Sequence, residues 1–417
     1  SWTLQAVRHV CQGDNKVSED ELLEQLETLI DHSLVQRTPL DDDASKVLRF
    51  HLLETIRDYG KGWLDANGER EDLQRRHAIY YLKQAQQLEV PLSSRKLLAI
   101  VFKLSYDQAN LRTALSWFVE HHEAELAQQM CAALGRYWEA GSNFQEARHW
   151  MDLALAMPEE TPPATRARLL KAVARITQWE MDWERSLACA REALTLYEAT
   201  NDDAGKAWAL FHIGDVSHMQ GHYRVAINYF EESLYLFHVQ EDWVSYAFTL
   251  SRLGATATML GSYDQAELWL KEALAQHRAL RKQGWLTLTV ISLGVVAILQ
   301  GNLAQSTAYL KEGLWLAQQT GNRYMLALDL IVFGCLIGTS SGAVYAARIC
   351  SGAEELFAQI KTMLPPSYHL IYHTHLFGLK AQVDTATWDK WWAEGKLLSA
   401  DELIELALKM TEEEDSR

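Results

Sequence analysis

The stretch GHYRVAINYFEESL, beginning at Gly221, returns 40 residues later as GSYDQAELWLKEAL, beginning at Gly261. Self-similarity at a fixed period restricts a chain more than any composition does. Each period must be one supersecondary unit, and each unit must cover the apolar face of the next. Steps of 40 from Gly214 give Gly254, Gly294 and Gly334. Ala174 lies one step back, and Gly135 lies 39 residues before it. A second series of small residues runs Ser186, Ala226, Ala266, Ser306, Ala346, and a third runs Ala193, Ser233, Ala273, Gly313, Ala353. Apolar residues between them keep helical spacing, as at Leu250, Leu253 and Ala257. The pattern predicts about six helix–turn–helix units from Gln128 to Glu355, with small residues wherever two helices cross closely.

LSRLGATATMLGSYDQAELWLKEAL resembles a tetratricopeptide repeat, with Leu250, Leu253 and Gly254 on helix A, Tyr263 near the turn, and Ala266, Leu270 and Ala273 on helix B. The period of 40 exceeds the usual figure of about 34. LYEATNDDAGKAWAL and LAQQTGNRYMLALDL hold the extra residues. The expected fold is mainly α: a tetratricopeptide-repeat superhelix preceded by a small winged-helix domain and a helical linker.

The first 65 residues follow other rules. SEDELLEQLETLI opens on a capping box, Ser18 with Glu21, and sets Leu22, Leu26, Leu29 and Ile30 on one face. SLVQRT and VLRFHLL are β-rich and flank PLDDDASK, which reads as a hairpin loop. ETIRDYGKGWLDANG reads as a helix ending at Gly68. Helices followed by a hairpin suggest a winged helix. Its would-be recognition helix carries Glu19, Asp20, Glu21, Glu24, Glu27 and Asp31 with no Lys or Arg, which argues against direct contact with nucleic acid. The net charge of −16 argues the same for nucleic acid and for an anionic membrane surface.

RFHLLETIRDYGKGWLDANGEREDLQRRHAIYYLKQAQQLE, with NLRTALSWFVE and ARHWMDLALA after it, resembles the winged-helix end, linker and first repeat of STAND-class signal-transduction ATPases, including AfsR-like and large LuxR-type regulators. The resemblance covers about residues 1–400. It implies that the chain is a fragment whose P-loop ATPase core lies elsewhere, since no GxxxxGK[ST] occurs here. ATP or ADP is then expected only in that core, with no cofactor in this chain. Where such ATPases carry Met-His-Asp, this chain has Leu52, Leu53 and Glu54, and Leu53 cannot contact a phosphate as His would. The expected domains are a winged helix at 1–65, a linker at 66–127, the repeats at 128–358 and a C-terminal helical cap at 359–417. WWAEGKLLSADELIELALKM, with a capping box at Ser399 and Glu402, resembles the segment after the repeats in the large LuxR-type regulators.

No GxSxG, HExxH or Walker motif is present. His369, His373 and His375 offer an i, i+4 pair that could chelate a metal or serve a hydrolytic enzyme, but no carboxylate completes the set, and a helix surface is the plainer reading. Cys11, Cys131, Cys189, Cys335 and Cys350 are far apart and odd in number, which suits reduced thiols in a cytoplasmic protein. The longest apolar run, Leu286 to Leu299, is 14 residues, whereas a membrane span needs about 20.

In tetratricopeptide arrays helix A lines the concave face. Counting from the helix-A small residue gives Arg168, Lys171, Arg175, Gln178 and Trp179 in unit two, and Trp208, Phe211, Asp215, His218 and Met219 in unit three. Unit four gives Phe248, Ser251, Thr258 and Met259, and unit five gives Leu288, Ile291, Val295 and Ile298. Arg168, Lys171, Arg175, Gln178, Trp179, Trp208, Phe211, Asp215, His218 and Phe248 are the expected ligand-binding residues. Two plainer accounts stand beside this. The cations could balance acids such as Glu180 and Glu184 on a solvated face, and the aliphatic stripe of unit five could be covered by the chain's own C-terminal helices. The resemblance implies a non-catalytic sensor arm that takes a small-molecule, peptide or protein inducer in the groove and relays it to the ATPase core. A protein–protein adaptor without a ligand switch is the alternative.

Overall fold

The computed structural model describes residues 1–11, 18–38, 48–89, 94–281, 283–338, 342–360, 362 and 364–415. The chain divides into two compact units, Ser1–His212 and Ile213–Arg417.

The first unit opens with β1 (Trp2–Thr3), α1 (Leu4–Cys11), α2 (Glu19–Asp31), β2 (Val35–Arg37) and β3 (Arg49–Leu52). The strands form an antiparallel sheet in the order β1-β3-β2, with Val35 opposite Leu52 and Trp2 opposite Phe50. The Ser18–Glu21 capping box forms at the start of α2. The expected hairpin loop at 39–46 lies outside the described residues. Helix α3 (Glu54–Asn67) ends at Gly68, which is left-handed at φ 72°. It is followed by α4 (Arg70–Gln86), α5 (Ser94–Ser105) and α6 (Gln108–Glu120). A buried ion pair joins β3 to the start of α6: Arg49 donates to Asp107, and Asp107 also accepts from Asn110 at 2.9 Å and from Tyr81 Oη at 3.3 Å. Arg49 is 4% exposed and Asp107 6%.

Six helical hairpins follow. They are α7 (Ala124–Ala140) with α8 (Phe144–Ala156), α9 (Pro163–Trp179) with α10 (Trp183–Thr200), and α11 (Asp203–Met219) with α12 (Tyr223–Val239). Then come α13 (Trp243–Leu260) with α14 (Tyr263–Ala279), α15 (Gln283–Leu299) with α16 (Leu303–Thr320), and α17 (Arg323–Gly338) with α18 (Ala343–Gln359). These are tetratricopeptide-like repeats in a nearly all-helical chain. Beyond them lie α19 (Pro366–Tyr372), a π-helical turn (His373–Phe377), α20 (Gly378–Lys380), α21 (Thr385–Gly395) and α22 (Ala400–Asp415), the last capped by Ser399 and Glu402. Among the described residues no helix is long and apolar enough to cross a membrane. The apolar run from Leu286 to Leu299 lies within α15, with Val290, Ile291, Leu293 and Val296 at 0–1% exposure.

The chain reverses at a regular interval. Met181, Asn201, Gly221, Glu241, Gly261, Arg281, Gly301 and Gly321 all have positive φ and stand 20 residues apart. One residue later an Asp or Asn often caps the next helix, as Asp182, Asp242 and Asn302 do. In the second unit the small-residue column sets how closely helices A and B approach. A Cβ on Gly214 would stand 2.9 Å from Phe230 Cδ1, one on Gly294 2.6 Å from Leu310 Cδ2, and one on Gly254 would fall inside Leu270. The second small-residue series adds a hydrogen bond across the crossing. Ser186 Oγ donates to Ala174 O at 2.7 Å and Ser306 Oγ to Gly294 O at 3.0 Å.

Gly254→Ala is therefore expected to destabilise the second unit by about 1–3 kcal/mol through overpacking. Gly284, in the first turn of α15, has nothing within 4 Å of its would-be Cβ. Gly284→Ala is expected to be neutral or to stabilise by up to about 1 kcal/mol. Denaturant midpoints of the two variants test the register, and equal losses would contradict it.

Candidate functional site

The face of each A helix is set by the residues three before, one after and four after its small crossing residue. In the first unit these are Ala132, Arg136 and Glu139 on α7, and Lys171, Arg175 and Gln178 on α9. Arg175 makes a two-point ion pair with Glu139, at 2.7 and 2.5 Å, and Trp179 Nε1 donates to the same carboxylate at 3.1 Å. Arg168 lies 3.7 Å from Glu89. Arg136 donates to Leu88 O at 3.1 Å. The acids that balance Arg168 and Arg175 are thus Glu89 and Glu139. Glu180 pairs instead with Arg148.

Lys171 differs from its neighbours. It is half-buried between Arg168 and Arg175 and has no ion-pair partner among the described residues. Burial lowers its pKa, Glu89 and Asp202 raise it, and Arg168 and Arg175 lower it further. Tyr197 on α10, 1% exposed, carries a hydroxyl with no hydrogen-bond partner. Burial raises its pKa, and Asp202, Arg168 and Glu89 act on it as well. The same three charges, Glu89, Asp202 and Arg168, act on both groups. Reading helix A alone missed Tyr197, because it belongs to helix B. A period-40 column through Tyr197, Phe237, His277 and Phe357, all at 1–4% exposure, is the signal that could have exposed it.

Trp179 is 57% exposed and stacks on Phe144 with ring centroids 6.4 Å apart. Trp208 is half-buried and meets Phe211, itself only 2% exposed, edge to face at 5.5 Å.

The second unit carries the other expected site residues. Asp215 is ion-paired with Arg252. His218 is 6% exposed and its Nδ1 lies 3.0 Å from Thr256 Oγ1. Burial and then Arg252 push its pKa down to about 4, against Asp215. Phe248 meets Trp285 edge to face at 4.4 Å. On α13 the face reads Ser251, Ala255, Thr258, all half-buried. On α15 it reads Ile291, Val295, Ile298, which are 0–6% exposed within a core shared with Tyr368, Ile371, Leu376 and Leu379. The aliphatic stripe of unit five is covered by the chain's own C-terminal segment.

Among the described residues no three potential metal ligands come together. His369 Nε2 lies 3.1 Å from Leu364 O, and His369 and His373 meet edge to face at 5.7 Å. All five cysteines are free, and only Cys11 is exposed. A depression lined by Arg348, Glu394, Leu398, Glu402 and Leu406 has its charges already engaged, Arg348 with Glu394 and Glu402 with Ser399.

Two buried titratable groups of the second unit lack full partners. Neither oxygen of Asp329, 0% exposed, has a hydrogen-bond partner, and the side chain fills the space left by Gly313. At the same place in hairpins four and five stand Thr249 and Thr289, whose hydroxyls donate to backbone carbonyls four residues earlier. Burial raises Asp329 well above the usual carboxylate range. His277 Nδ1 is likewise unpartnered, and burial lowers its pKa to about 4. The two groups give opposite pH slopes. The raised Asp329 contributes stability below the usual carboxylate pKa that is lost as pH rises through its folded value. The lowered His277 contributes stability above about pH 6.5 that is lost as pH falls toward 4. Asp329→Thr is expected to raise the unfolding free energy more at pH 8 than at pH 5, by about 1–3 kcal/mol at the alkaline end. His277→Phe is expected to flatten the loss between pH 6.5 and 4. Midpoints of each variant across pH check both, and parallel curves would contradict the assignment.

The tetratricopeptide repeat family model matches residues 165–237. A Mycobacterium bovis protein named as an HTH-type transcriptional regulator is 29% identical over 221 residues, which cover 51% of this chain and 24% of the relative. A Mycobacterium tuberculosis H37Rv protein of similar name matches to the same extent. The chain thus spans about a quarter of the length of these curated relatives. Among solved structures, aspartyl phosphate phosphatase F from Bacillus subtilis is similar with a TM-score of 0.54 at 13% identity, over 95% of this chain and 92% of that one. The apo form of RapI is similar with a TM-score of 0.50 at 17% identity, over 70% of this chain and 99% of that one. At these identities the likeness shows a shared tetratricopeptide-like fold.

Proposed function

We propose that this chain is the sensing arm of a signalling or transcription regulator, and that its helix-A face in the first unit takes an inducer with an anionic head and an apolar body. The observation that carries this reading is the pair of unpartnered donors, Lys171 and Tyr197, set among Arg168, Glu89 and Asp202. The Lys171 ammonium is held at a cost set mainly by its burial, which Glu89 and Asp202 offset in part and Arg168 and Arg175 add to, and a buried hydroxyl without a partner is a second cost. A carboxylate, sulfonate or phosphate would relieve both. Trp179 and Phe144 offer a rigid aromatic surface for the apolar part.

The role is binding, not catalysis. The sequence has no GxxxxGK[ST] phosphate-binding loop, and in this reading any nucleotide chemistry would fall to the P-loop ATPase core that the STAND resemblance implies. The likeness to a phosphatase at 13% identity carries the fold and not the activity. The regulator-named mycobacterial relatives support the regulatory half of the reading. The β1–β3 module is tied to the linker helices by the buried Arg49–Asp107 pair, which suits it to pass an event at the repeats toward such a core. Binding would act by population shift, favouring the arrangement in which the core exchanges nucleotide.

The test uses 8-anilinonaphthalene-1-sulfonate, which joins an anionic head to apolar rings, titrated into the purified chain by fluorescence. Lys171→Met is expected to weaken binding about tenfold, in line with loss of a charge-assisted contact. Tyr197→Phe is expected to weaken it several-fold while leaving the thermal midpoint unchanged or higher, since it removes an unpartnered buried hydroxyl. Lys311→Met on α16 serves as the control. Binding untouched by Lys171→Met and Tyr197→Phe would contradict the site.

A further inference from the structure

The C-terminal cap has two parts with different tasks. Helices α21 and α22 close the end of the last hairpin. A Cβ on Gly352 of α18 would press on Leu403, Gly395 packs against Arg348 and Ser351, and Arg348 pairs with Glu394 at 2.5 Å. The segment from α19 to α20, Pro366–Lys380, instead covers the helix-A face of α15 and α17. Tyr368 Oη lies 3.2 Å from Ser292 Oγ on α15, and Leu379 abuts Gly338 on α17. Tyr368, Ile371, Leu376 and Leu379 are 1–8% exposed, whereas Phe377 is 57% exposed and His369, His373 and Thr374 are also exposed. The segment is an amphipathic helix laid on an aliphatic face.

Its four anchors are spaced three, five and three residues apart. On a regular α-helix that spacing spreads them over about 140° of the surface. The π-helical turn His373–Phe377 falls between Ile371 and Leu379 and takes up the extra residue, which narrows the stripe to about 80°. A helix with anchors at i, i+3, i+7 and i+10 would present the same narrow stripe with no π turn. The resident segment is therefore an imperfect ligand for the face it covers. Its seven-residue α19 is also too short to persist undocked.

We propose that Pro366–Lys380 is a displaceable internal occupant, and that the α15–α17 face is a docking site for a partner's amphipathic α-helix with an i, i+3, i+7, i+10 apolar stripe headed by Tyr. This concerns the second unit alone and does not depend on the cationic site of the first.

The experiment uses the full chain carrying Ile371→Ser and Leu376→Ser, with circular dichroism to confirm that the hairpins persist. The probes are fluorescein-labelled peptides of residues 366–380, one native and one lacking Thr374, which restores regular spacing. By anisotropy, the double variant is expected to bind the native peptide at least tenfold more tightly than the wild-type chain does. The shortened peptide is expected to bind more tightly still. Should the double variant not fold, Tyr368→Phe replaces it, with an expected gain of about fivefold, because the resident segment then loses its hydrogen bond to Ser292 while the native peptide keeps its own Tyr. A folded variant that binds neither peptide, or a wild-type chain that binds as tightly as the variant, would overturn the proposal.

Discussion

The second unit depends on one steric constraint: helix A and helix B of each hairpin approach so closely that a side chain cannot stand at the crossing. Leu270, Leu310 and Phe230 occupy the volume a Cβ would need at Gly254, Gly294 and Gly214. Everything else in the hairpin is keyed to that point. The chain turns every 20 residues through a left-handed position, the next helix starts at a capped residue, and the outward face of helix A falls at fixed offsets from the crossing. Because the crossing fixes the geometry, those offsets are free to vary in chemistry. They read Lys171, Arg175, Gln178 on α9 but Ile291, Val295, Ile298 on α15.

The same logic explains where the interior tolerates an exception. In the 40-residue register Ser233 and Thr249, then Ala273 and Thr289, hold the positions that Gly313 and Asp329 hold later in the chain. In the last such pair Gly313 makes room for Asp329. A larger side chain is matched by a smaller one, so volume is conserved while a carboxyl enters the core unpartnered. Steric fit is satisfied at that position at the expense of polar satisfaction.

The repeat fold was legible because glycine and alanine in register leave few alternatives, and the caps at Ser18, Gly68 and Ser399 are local rules written in a few residues. The partners across hairpins were harder to read. Arg175 finds Glu139, Arg252 finds Asp215 and Arg278 finds Glu312. These partners sit 34 to 37 residues apart, on helices that neighbour each other only after stacking. Scanning for opposite charges near that offset would have found them, whereas nearby acids such as Glu180 drew attention instead. Phe211 and His218 lie on the stripe that helical counting selects, yet both are buried, since counting gives direction but not depth. The cover over α15 was one of two readings of its aliphatic face. It could not be derived from spacing, because the anchors align only through a π turn that no regular period anticipates.

The helix-A faces differ in chemistry: a charged one in the first unit, proposed here to take an anion, and an aliphatic one in the second covered by the chain's own segment. On the proposal above, this segment is a separable occupant and not part of the hairpin core. Native-state amide hydrogen exchange tests that most directly, because it reads the opening free energy of each element. Amides of Ser367–Lys380 are expected to exchange through a local opening well below the global value, while α17, α18, α21 and α22 stay protected. Exchange of the segment only together with α17 and α18, at the free energy of global unfolding, would contradict it.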